Sequence, residues 1–126
     1  MSMESPLARV RGLGSAKEGS GHWRTQRLTA IALVPLVAWM MIALVGNTAA
    51  SHDDLVAWLR QPVSAGLMIA ALLALFWHAQ LGLQVVIEDY VHVEWAKYAA
   101  LIGVRLAAVA LGLIAAVSVL KISLGV

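Results

Sequence analysis

Three observations predict an all-α, integral membrane fold: three transmembrane helices forming part of a hetero-oligomeric helix bundle. The first is composition, since the 126 residues are 61% hydrophobic and only 13% charged, with a mean hydropathy of +0.83. Soluble domains carry roughly a quarter charged residues, so the solvent of this chain is largely lipid. The second is patterning: apolar runs at 28–45, 63–87 and 99–120 are each able to cross a hydrocarbon core that needs about 20 residues of helix. The third is a line of small residues on the second run, which calls for partner helices. An isolated soluble enzyme and a disordered tail are excluded. Zero cysteines also exclude a disulfide framework, a thiolate metal site or an iron–sulfur cluster held by this chain.

Residues 1–20 carry Arg9, Arg11 and Lys17 among Pro6, Gly12, Gly14 and Gly19, and read as a flexible basic segment. With Arg24 and Arg27 they place five cations before the first span, against Arg60 alone in the next loop. The positive-inside rule then puts the N-terminus in the cytoplasm and the C-terminus outside. The basic residues are thus topology determinants and not a nucleic-acid surface. Thr48-Ala49-Ala50 resembles a signal cleavage site, but the basic lead and the apolar run are both too long for a signal peptide. Residues 21–126 form one three-helix membrane domain, in which 46–62 and 88–98 are interhelical loops. Trp23, Tyr90, Trp95 and Tyr98 collect at the inner boundary and Trp58 lies toward the outer one, as interfacial aromatics do. Trp39 and Trp77 read as packing.

On the second span Gly66, Ala70, Ala74, His78 and Gly82 recur every fourth residue, so small side chains form a slowly rotating stripe that faces protein or cofactor. His78 lies on that stripe, about 16 Å along the axis from Asp89 and well inside the apolar layer. A polar ring at that depth pairs or coordinates something. One nitrogen of a neutral imidazole can ligate haem iron while the other bonds an acceptor, and Gly82 leaves room for a flat macrocycle. A histidine bonded only between helices is the other reading, and the residues alone leave both open. His22, His52 and His92 fall at membrane boundaries, so a six-coordinate haem needs its second ligand from another chain.

Glu88-Asp89-Tyr90-Val91-His92 closes the second span. Asp89 lies about 20° around the helix from His78, so both look into one interface. A tyrosine hydroxyl beside a carboxylate at the lipid edge can hydrogen-bond a quinone carbonyl; acids and aromatics also simply end transmembrane helices, which is the reading for Glu88 and His92. Arg27 is the deepest cation of the first helix and can bind a haem propionate or a lipid phosphate. Arg105, two turns into the third span, snorkels toward the inner face.

Two motifs carry a resemblance: His22-Trp23-x-x-Gln26-Arg27-x-Thr29-Ala30-x-x-Leu33-x-Pro35-Leu36 and His78-x-x-x-Gly82-x-Gln84-x-Val86-Ile87-Glu88-Asp89-Tyr90-Val91-His92. Together they make the chain resemble the smaller hydrophobic membrane-anchor subunit of succinate dehydrogenase, the succinate:quinone oxidoreductase of respiratory complex II. The resemblance covers most of the chain. It implies a membrane-anchor domain over 21–126, with His78 as axial ligand of a b-type haem shared with a second membrane-anchor subunit. It implies further that Tyr90 hydrogen-bonds ubiquinone, the substrate, that Asp89 organises that pocket, and that Arg27 lies near the haem propionates. A flavoprotein subunit with covalent FAD and an iron–sulfur subunit are the implied partners, in the bacterial cytoplasmic (inner) membrane. The chain itself performs no succinate chemistry, and the resemblance assigns no role to Arg105.

Two alternatives remain distinct from this reading. One is a haem-free structural anchor of a related respiratory complex. The other is a small transporter subunit, for which His78 and Arg105 are too scattered to line a path and no pair of broken helices appears.

Overall fold

The computed structural model describes residues 19–126. The basic stretch of residues 1–18 lies outside the described residues. Four helices follow in order: α1 Gly19–Gly46, α2 His52–Leu59, α3 Pro62–Tyr90 and α4 Glu94–Leu124. Three of them, over Trp23–Gly46, Pro62–Tyr90 and Glu94–Leu124, are long and apolar enough to cross a membrane. Each is apolar around most of its circumference, as expected of a helix that meets lipid on one side and protein on the other. All three extend beyond the apolar runs, because polar residues such as Arg24, Glu88 and Lys97 continue the backbone hydrogen bonding into the headgroup layer.

α3 is the central element. It packs against α1 on one side and α4 on the other, while the backbones of α1 and α4 do not approach each other closely. The described part of the chain is therefore an open row of helices with very little interior. Leu33, Ala65, Ala71, Leu81, Ala116 and Val119 are its buried apolar residues, and Ser64 is its buried polar one. The close approach of α3 to α4 rests on Gly112, where a Cβ would stand 3.7 Å from both Cβ and Cδ2 of Phe76.

The stripe of small residues does not coincide with these contacts. Gly66 and Ala70 are exposed, Ala74, His78 and Gly82 are half-buried, and α3 packs within the chain through Ser64, Ala65, Ala71 and Leu81. A spacing of four advances by about 40° per step, so the stripe turns away from α1 toward the start of α3.

One element within 46–62 was not expected from periodicity. Residues 52–59 form α2, opened by a capping box: Ser51 Oγ accepts from the Asp54 amide at 3.3 Å, and the Ser51 amide donates to Asp54 Oδ2 at 3.1 Å. Ser51 Oγ also donates to Asp54 Oδ2 at 2.7 Å. Trp58 of α2 stacks on Trp39 of α1 with ring centroids 5.7 Å apart, so Trp39 packs as expected and draws the short helix onto the bundle. At the same end α4 finishes with Gly125 at φ +74°, whose amide donates to Lys121 and Ile122 carbonyls. The Arg60 guanidinium lies beside Gly125 and faces the negative end of the α4 dipole.

Candidate functional site

The site is built where α1 crosses α3. Thr29 lies three turns into α1, and its Oγ1 is 3.0 Å from Nδ1 of His78. The same hydroxyl is 2.9 Å from the Gln26 carbonyl and 3.0 Å from the Thr25 carbonyl, the usual back-bonding of a helical threonine. His78 is thus held between helices by one ring nitrogen. Its Nε2 makes no hydrogen bond among the described residues. One turn on, a Cβ at Gly82 would meet nothing within 4 Å. A half-buried imidazole with one nitrogen tethered and the other uncommitted, beside a glycine facing open space, fits an axial ligand of a flat macrocycle.

Asp89 and Tyr90 end α3 at the level where α1 begins. Helical register puts Asp89 within about 20° of His78 and about 16 Å along the axis, and both Asp89 and Tyr90 are exposed, Tyr90 to 78%. The carboxyl of Asp89 and the phenol of Tyr90 make no hydrogen bond among the described residues. The end itself is tied down by its neighbours: Lys97 Nζ donates to the Glu88 carbonyl at 3.0 Å, and His92 Nδ1 donates to the Tyr90 carbonyl at 3.0 Å. Lys97, a basic group of α4, thus caps the C-terminus of α3.

Arg27 is not brought together with His78. It sits two residues before Thr29, hence about 200° around α1, is exposed, and holds its guanidinium 4.5 Å above the Trp23 ring in a cation–π contact. Arg105 is likewise remote. It lines a cavity of about 590 Å³ between α3 and α4, together with Phe76, Trp77, Gln80, Gln84 and Gly112. Gln80 is about 200° around α3 from His78, so this cavity lies on the opposite side of the helix. Its polar edge is a ladder in which Gln80 donates to Gln84 at 3.2 Å and Gln84 donates to Glu88 at 2.9 Å. This row leads from the apolar layer to the helix end, where Arg105 was expected to snorkel.

Thr29 is the site residue that residue-by-residue reading missed. It stands within the first quoted motif, but a threonine in an apolar helix carries no signal of its own until the crossing of α1 and α3 puts it opposite His78.

Residues 1–112 match the family model described as "Succinate dehydrogenase/Fumarate reductase transmembrane subunit". The chain belongs to this family. Its relatives include a succinate dehydrogenase hydrophobic membrane anchor subunit of Rickettsia bellii, 34% identical over 100 residues that cover 79% of this chain and 80% of that one. The corresponding subunit of Rickettsia conorii is 32% identical over 70% of this chain and 71% of its own length. A succinate dehydrogenase membrane anchor subunit of Reclinomonas americana is 30% identical over 74% of this chain and 80% of its own. No solved structure gives a significant match. Family and fold agree, since the family is one of transmembrane subunits and the chain carries three membrane-spanning helices. It is an integral membrane protein.

Proposed function

We propose that this chain is the membrane-anchor subunit of a succinate:quinone oxidoreductase, and that it supplies half of a b-type haem site and part of a ubiquinone site. The observation that carries the haem reading is the state of His78, with Nδ1 engaged by Thr29 at 3.0 Å and Nε2 left for a metal, next to the open face of Gly82. When bound, the haem supplies a one-electron relay in the apolar layer. His78 holds the iron from one side. A second ligand would come from the other membrane anchor; of the remaining described histidine side chains, His52 lies in α2 and His92 between α3 and α4, both exposed at the ends of the helices.

At the lipid boundary the Tyr90 hydroxyl donates to a quinone carbonyl, and Asp89, on the His78 side of α3, is the acceptor that organises the pocket. Arg27, whose guanidinium rests on the Trp23 ring, keeps its edge N–H donors for a propionate. Succinate is oxidised in a flavoprotein subunit carrying FAD, and an iron–sulfur subunit docks on the end of the bundle that holds Tyr90 and passes electrons inward. In this reading the chain lies in the bacterial cytoplasmic membrane with its N-terminus in the cytoplasm, the side on which those partners sit.

The test is a pyridine haemochrome assay on the purified complex, wild type against His78→Ala. Loss of the b-type signal with all subunits retained supports the ligand role. An unchanged signal, or no haem in either complex, overturns it and leaves the haem-free anchor, in which the bond to Thr29 is the whole purpose of His78.

A further inference from the structure

We propose that Thr29 is a positioning residue that sets which nitrogen of His78 carries the proton, and thereby presents Nε2 as a lone pair to the iron; the inference rests on the haem reading above. A threonine hydroxyl has one proton and two lone pairs. Two backbone carbonyls, Gln26 at 2.9 Å and Thr25 at 3.0 Å, stand within reach of Oγ1, and a carbonyl can only accept. The hydroxyl proton is therefore directed back along α1. What remains toward α3 is an oxygen lone pair, 3.0 Å from His78 Nδ1. In a bilayer no bulk water is at hand to re-pair these groups, so the arrangement that satisfies all of them is Nδ1–H donating to Thr29. The imidazole proton is then on Nδ1 and the lone pair on Nε2.

The consequence is electronic as well as geometric. An acceptor on the Nδ1–H raises the basicity of Nε2 and fixes the plane of the ring, as partners of metal-ligating histidines do, and their removal typically costs about 10- to 100-fold in metal affinity. A more basic ligand favours the ferric state. Thr29 thus belongs to the haem environment although it lies on α1, and the α1–α3 crossing, instead of α3 alone, sets the quality of the ligand.

The experiment uses the intact complex carrying Thr29→Val, which keeps the shape of the side chain and removes the acceptor, and Thr29→Ser, which keeps the acceptor. Nitrogen-15 NMR of labelled histidine in the complex stripped of haem reads the tautomer, and a redox titration with low-spin EPR of the loaded complex reads the ligand field. The expected result is Nδ1–H in the wild type and in Thr29→Ser. In Thr29→Val the tautomers mix, the haem midpoint potential shifts upward, the g values change and haem is lost more readily, by about 10- to 100-fold in affinity. Wild-type potential, g values and tautomer in Thr29→Val, or Nε2–H in the wild type, overturn the proposal. A merely structural bond would lower thermal stability and leave all three unchanged. If the wild-type complex holds no haem, the haem reading fails, while the tautomer measurement still decides whether Thr29 orders the ring.

Discussion

Tyr90 is the last helical residue of α3, and its phenol is 78% exposed in the isolated chain. A side chain so placed is held by the backbone beneath it, where Lys97 and His92 fasten the helix end, and its hydroxyl makes no hydrogen bond among the described residues. Tyr90→Phe removes only that hydroxyl. It is expected to slow quinone reduction by an order of magnitude while succinate oxidation with an artificial acceptor stays unchanged; unaltered quinone turnover would remove Tyr90 from the site. At the opposite end of the bundle, hydrogen bonds from the Ser51 hydroxyl and then from the Ser51 amide hold the Asp54 carboxyl below its ordinary value of 3.8. The folded value is depressed, so the stabilisation of α2 is present above pH 3.8 and is lost as pH falls through the lower folded value. Carbon-13 titration of Asp54 checks this, with Ser51→Ala expected to return the carboxyl toward 3.8.

Among the elements, the pairing of α3 with α4 depends on how closely two backbones can approach. At Gly112 a Cβ would meet Phe76 and Leu73 at ordinary van der Waals distances of 3.7–3.8 Å. Gly112→Ala is therefore accommodated. Gly112→Leu adds a branched end that has to pass Phe76 and Leu73 to reach the cavity Gly112 lines, and shifting those two side chains is expected to cost about 1–3 kcal/mol, read as a lower thermal midpoint of the detergent-solubilised complex. The two pairings differ in kind: α1 meets α3 with the Thr29–His78 bond across the crossing, whereas α4 packs on α3 at Gly112 beside a groove lined by both helices. Damage at Gly112 should leave haem content intact. Damage at Thr29 should not.

As a whole molecule the described chain is a row and not a closed bundle, with α3 in the middle and α1 and α4 apart. Every residue of α3's small-residue stripe keeps at least partial exposure, Gly66 and Ala70 the most. In lipid there is no hydrophobic drive to cover such a face, and close packing by small residues replaces it. The expectation is that the chain expressed alone is less resistant to thermal unfolding in detergent and more readily proteolysed than within its complex. Equal stability alone and in the complex would contradict a partner on that face.

Membrane residence, the three spans and the placement of His78, Asp89 and Tyr90 along one helix were legible from residue order, because burial in lipid and helical register act on contiguous sequence. The capping signature Ser51-x-x-Asp54 also stands in the residue order, but apolar periodicity passes over it, and α2 emerged inside a stretch read as loop. Which faces meet was decided only by tertiary structure: helices that are apolar all round carry little record of their packing direction. That is why the place of Arg27, about 200° around α1 from Thr29 and against Trp23, emerged only from the structure, and why the partner of His78 came from a threonine 49 positions away. The local code specifies that a histidine stands within a membrane-spanning helix; the crossing of α1 over α3 specifies which of its nitrogens meets Thr29.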